Sequence, residues 1–269
     1  MLVNIFLHEL KSRLGSVLTW SAAIFILILT FMSMFQGFAE DTELVSELMA
    51  SFPRELLIAF GMADMDWSTL LGFFGLVFVF CQICLAIQAA NYGFSLVSIE
   101  ETEWTADFLL SKPVGRTSIM TAKLLAAAIA LLLTAGVVFY SSIMLVILFS
   151  GGRDIDFRNL MLLLVSVPFF QSFFLSVGLL ISLFVRRLRS VTPFSMGLVF
   201  GLYIINAFGD MIGEEGLEVI SPFQHFTPGA IIRDGRWDLP LVMVNLAVTV
   251  LAIALSYRLY ARKDIAAAV

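Results

Sequence analysis

The sequence predicts an all-α, polytopic membrane protein with six transmembrane helices. Three observations carry that class. Apolar residues fill 60% of the 269 positions and charged residues only 14%, where a soluble domain carries about 25% charged residues. Mean hydropathy is +0.97. The apolar residues are also gathered into runs, and six of these reach the roughly 20 residues that cross about 30 Å of hydrocarbon. They cover about 16–36, 69–97, 117–150, 160–185, 191–208 and 239–260.

Residues 1–15, "MLVNIFLHELKSRLG", are set apart from the first span. Leu2, Ile5, Phe6 and Glu9 fall at helical spacing, with Lys11 and Arg13 just beyond. An interfacial amphipathic helix along the headgroups fits this pattern; the alternative is a plain extension of span one. The domain division is therefore 1–15, then a six-helix domain over 16–269. The first span is too long for the apolar core of a signal peptide, and no A-x-A-like site follows it. It reads as an uncleaved anchor.

Basic residues set the orientation. Eleven of the sixteen lie at the N-terminus, between spans two and three, between spans four and five, and in the tail; Arg54, Arg153, Arg158, Arg233 and Arg236 lie on the other side. Both termini are expected in the cytoplasm, which agrees with an even number of spans. The external connections are acidic. Residues 38–68 read as an amphipathic helix broken at Pro53. Residues 209–238 contain "GLEVISPFQHFTPGAII", too apolar for a free loop, and are expected to dip back toward the bilayer before the sixth span as a re-entrant segment.

Several chemistries find no support. There is no G-x-x-x-x-G-K-S/T for binding nucleotide phosphates and no H-E-x-x-H for zinc. His8 and His225 are far apart. Cys81 and Cys84 have C-x-x-C spacing but sit inside an apolar span, where cysteines act as small packing residues. No catalytic residue, metal site or cofactor is expected in this chain. A net charge of −5 argues against nucleic acid as a partner.

One charged island breaks the apolar pattern. Residues 100–116 read "EETEWTADFLLSKPVGR". Glu100, Glu103 and Asp107 form one helical stripe, and Trp104 and Phe108 form the stripe beside it. Pro113 and Gly115 end the segment. A turn of about five residues would connect two spans, so the extra length needs a reason. The residues alone leave two readings open. One is a solvated turn with an aromatic anchor in the headgroups; the other is a docking helix for a cytoplasmic partner.

Within the spans, Gln82, Gln88, Asn91, Gln171, Asn206 and Asn245 are the notable polar residues, and no charged residue lies near the middle of any span. These six either line a weakly polar translocation path or bond helices together. "GLVFG" at 197–201 places Gly197 and Gly201 at G-x-x-x-G spacing in span five. That spacing suits close helix packing, within the protomer or between two copies.

The charged island resembles the cytoplasmic segment of ABC-2-type transporter permeases. The matching residues are Glu101, Glu103, Thr105, Leu109, Leu110, Pro113, Arg116 and Lys123. "SPFQHFTPG" at 221–229, "YARKDI" at 260–265 and "FLHELKSRL" at 6–14 are similar to other segments of that family, in the same order. The resemblance implies the permease half of an ATP-driven exporter in the cytoplasmic membrane of a prokaryote. It further implies a second permease, a homodimer through spans one and five, and two cytoplasmic ATPase subunits that bind ATP and Mg. Residues 100–111 would be the coupling helix seated in an ATPase groove. A membrane anchor for an ATPase, without transport, shares these features. An ion-coupled carrier fits poorly with the uncharged spans.

Overall fold

A computed structural model describes residues 2–40, 47, 51–53, 57–58, 65–102, 115–185, 190–212 and 219–262. Its elements are α1 (Leu2–Glu40), α2 (Leu70–Thr102), α3 (Arg116–Leu148), α4 (Phe157–Phe184), α5 (Thr192–Ile212), two short helices α6 (Pro222–His225) and α7 (Pro228–Asp234), and α8 (Leu239–Arg262). There is no strand among the described residues. Six of the helices are long and apolar enough to cross a membrane. The protein is a six-helix membrane bundle.

The helix starts follow local chemistry. Asp156 caps α4 by accepting from the Asn159 backbone N–H at 3.1 Å. Ser221 does the same for α6 through Phe223, and Asp238 accepts from the Leu241 N–H at 3.3 Å at the start of α8. Each satisfies a donor that the first turn leaves without an intrahelical acceptor. At the end of α7, Gly235 takes φ 61° and hands its N–H to the Ile231 carbonyl. That left-handed cap favours glycine.

Helix α2 is the centre. It packs most extensively along α4, and also meets α1, α3, α5 and α7. The apolar stretch of α2 is 78% buried inside the molecule, against 28% for α1 and α8 and 17% for α5. The α2–α4 approach is close because the facing residues are small. A Cβ at Gly93 would collide with the Leu175 carbonyl, and one at Gly178 would stand 3.1 Å from the Ala90 carbonyl. α1 lies mainly along α3, and α8 along α4.

Residues 2–15, which the sequence sets apart, run into the first span as one 39-residue helix. Such a helix is about 58 Å long, well over the thickness of a hydrocarbon core. Gly15 does not interrupt it. Most of the expected helix over 38–68 lies outside the described residues.

The segment before α8 folds onto the bundle. Phe223 and Phe226, at 4% and 0% exposure, join Phe170, Phe174 and Trp237 in a cluster of edge-on rings with centroids 5.2–6.4 Å apart. Edge-to-face pairs of this kind add to what burial alone contributes. Polar pins hold the same segment. Gln82 Nε2 donates to the Phe226 carbonyl at 2.9 Å, Asn159 Nδ2 to the Ile232 carbonyl at 3.0 Å, and Trp237 Nε1 to the Leu162 carbonyl at 3.0 Å.

Candidate functional site

Three places carry chemistry: the α2–α3 hairpin, the polar residues inside the bundle, and the outer face of α5. In the hairpin, Glu100 and Glu101 fall in the last turns of α2, and Arg116 opens α3 behind its N-cap, Gly115. Glu103, Trp104, Thr105, Asp107, Phe108, Leu109, Leu110 and Pro113 lie outside the described residues.

Just inside the hairpin is a buried charged network. Glu9 on α1 stands between two cations, 3.5 Å from Arg13 and 3.6 Å from Lys123. Arg13 is 7% exposed and Lys123 4%. Each cation also reaches α2. Arg13 Nη1 donates to Ser95 Oγ at 3.3 Å, and Lys123 Nζ to the Leu96 carbonyl at 3.0 Å. The Arg13 guanidinium lies over the Tyr92 ring, 4.9 Å from its centroid, a cation–π arrangement. Tyr92 accepts in turn from Gln88 Nε2 at 3.3 Å. In the sequence Arg13 belongs to the N-terminal amphipathic pattern, Lys123 to the permease-like stretch, and both to the basic side of the membrane; none of these readings pairs them. The one local trace was the Glu9–Arg13 spacing of four, which suits a helical ion pair. The partner on α3 lies more than a hundred residues away and leaves no trace.

The polar residues of the spans do not share one role. Gln82 pins the α6–α7 segment. Gln88 Nε2 donates to Thr134 Oγ1 on α3 at 2.8 Å. The first ties α2 to the turn after α6, and the second ties α2 to α3. Gln171 is 1% exposed and Asn245 0%. The Gln171 Nε2 and both Asn245 amide atoms find no hydrogen-bond partner among the described residues, and neither does Thr249 Oγ1 one turn further along α8. Buried polar atoms of this kind are uncommon. Asn91 and Asn206 are half-buried on α2 and α5.

Gly197 and Gly201 lie on the outer face of α5. Nothing among the described residues comes within 4 Å of a Cβ built on either. They belong to a stripe with Phe194, Ile204, Phe208 and Met211, whose side chains are 42–54% exposed. The spacing alternates three and four residues, which keeps all six on one seam.

At the far end of the bundle from Glu9, an open cleft of about 530 Å³ is lined by Gln224, His225, Arg233, Asp234, Arg236 and Trp237, among others. Arg233 Nε donates to Asp234 at 2.9 Å and holds that carboxyl below the usual carboxylate range. Cys81 and Cys84 are free thiols, Cys81 fully buried. No group of three or more His, Cys, Asp or Glu side chains among the described residues could hold a metal ion.

The profile of a family described as ABC-2 family transporter protein matches residues 3–265 of the chain. No curated protein matches it.

Proposed function

The chain belongs to the ABC-2 family of transporter proteins, and from that premise we propose that it is the permease of an ATP-driven exporter, paired with a second copy and two cytoplasmic ATPase subunits. The membrane-permease role in an ABC transporter comes with the family. The pairing, the copy number and the outward direction are our reading, and so is placement in the cytoplasmic membrane of a prokaryote with both termini inside. ATP and Mg belong to the ATPase chains in this reading.

One observation carries it. The central helix α2 and the helix α3 converge on the charged island, so a push on that island bears on the most buried helix of the bundle. The island over residues 100–111 is the coupling helix. Trp104 and Phe108 fill an apolar slot of the ATPase, and Glu100, Glu103 and Asp107 match basic residues at its rim. The open glycine seam of α5 supports pairing with a second copy. The external segment before α8 is re-entrant in this reading. Its support is depth: Gln82, which holds Phe226, lies twelve residues along α2 from Leu70, or about 18 Å.

The test is capture of the ATPase by the purified permease. Truncating a buried aromatic anchor costs about 2 kcal/mol, or about thirtyfold in affinity. Trp104→Ala with Phe108→Ala is expected to insert normally and lose the ATPase. Glu100→Gln, Glu103→Gln and Asp107→Asn together are expected to weaken capture less, and wild-type capture should weaken with added salt. Full retention of a stimulated ATPase by the aromatic double variant would remove the coupling-helix assignment. It would leave the headgroup-anchor reading in its place.

A further inference from the structure

We propose that Glu9, Arg13 and Lys123 are positioning residues that lock the N-terminal part of α1 to the base of the α2–α3 hairpin, so that α1 follows the hairpin when the ATPase moves it. This rests on the coupling reading above. It adds a transmission element that lies outside the island itself.

The geometry points to a registry device. Glu9 bridges the two cations from α1 and α3, and both cations end on α2, at Ser95 and the Leu96 carbonyl. Three helices therefore meet at one carboxylate. Arg13 and Lys123 are almost fully buried, where water screens charge poorly. Buried ion pairs seldom add net stability over apolar side chains of the same size, and their best-attested use is to specify one arrangement among several. Here the arrangement they specify is the axial register of α1 against α2 and α3. An apolar α1–α3 contact alone can slide, because lipid and leucine are equally apolar. The continuous helix of α1 then carries that register on toward Glu40.

The experiment uses the permease–ATPase complex in lipid nanodiscs, with Cys81 and Cys84 replaced by Ala. Spin labels are placed at His8 and Thr192 in one sample and at Thr117 and Thr192 in another, all exposed positions. Distances are measured without nucleotide and after trapping with MgATP and vanadate. In the wild type both distances are expected to change by about 2 Å or more, the scale of interface helix shifts. In Glu9→Gln, which keeps side-chain size but removes the charge that bridges Arg13 and Lys123, the 117–192 change should persist and the 8–192 change should vanish. The exchanged pair Glu9→Lys with Lys123→Glu restores one bridge and should restore part of the 8–192 change; Lys123→Arg should keep all of it. An 8–192 change of wild-type size in Glu9→Gln overturns the proposal. If Glu9→Gln does not yield folded complex, the exchanged pair decides: a lost 8–192 change there overturns it. A wild type in which 117–192 does not change defeats the coupling reading instead, and this proposal with it.

Discussion

Helices α2 and α5 look alike as sequence and behave differently as structure. Both are long apolar runs with a pair of small residues at helical spacing. Yet α2 is 78% buried in its apolar stretch and α5 17%. Gly93 on α2 is a contact glycine, pressed against the backbone of α4, whereas Gly197 and Gly201 on α5 meet nothing among the described residues. In water the two would differ in composition, since an exposed face must be polar. In lipid the exposed face is apolar too, so composition stops reporting which face meets protein. The difference therefore lies in partners, and substitutions can expose it.

The largest effect is expected at Gly93. Gly93→Leu drives a branched side chain into the α4 backbone, a change that small side-chain shifts cannot absorb. A loss of about 3 kcal/mol or more is expected, seen as loss of a monodisperse peak in detergent and a collapsed melting transition. A Gly93→Leu protein that melts like the wild type would show that the α2–α4 packing is not as described. Next comes Gln82→Leu. It keeps the packing volume but leaves the Phe226 carbonyl without its donor, at a cost of about 1 kcal/mol. Faster hydrogen exchange confined to 221–238 would report it, and exchange equal to wild type would separate that segment from α2. Smallest for the protomer are Gly197→Leu and Gly201→Leu, whose melting temperatures should stay within the equivalent of about 0.5 kcal/mol. In the same samples the fraction of paired permease, measured by mass photometry, should fall sharply. Retention of pairs by both variants would move the interface elsewhere. A topology test completes the set without any stability change. Cysteines at Ser46 and Glu215 should react with an impermeant maleimide in intact cells, and one at Ser111 should not.

The spans were legible because bilayer thickness imposes a length that sequence displays directly. The second span was expected to start at 69 and α2 starts at Leu70; the sixth was expected at 239 and α8 starts at Leu239. The aromatic segment around Phe223 and Phe226 stood out because apolar residues in a nominal loop must bury somewhere. The tightest packing was not legible. Gly93 and Gly178 lie in different spans, so no short motif contains both, while the two glycines of the motif that does appear, at 197–201, meet nothing among the described residues. The Glu9–Arg13–Lys123 network escaped for a similar reason. Charges near span ends look the same in sequence whether they reach water or turn inward to each other. Gln82 and Gln88 were legible as polar residues, though not as separate pins to different neighbours.

Those two pins constrain how the molecule can work as a machine. Gln82 and Gln88 point about 120° apart around the α2 axis, one held by the capping segment and the other by α3. Turning α2 about its own axis would break both bonds at once. Tilting it as a stiff rod, carrying the cap and α3 along, would break neither. The helix at the centre of the bundle is thus keyed like a shaft with two splines: it can rock, but it cannot spin.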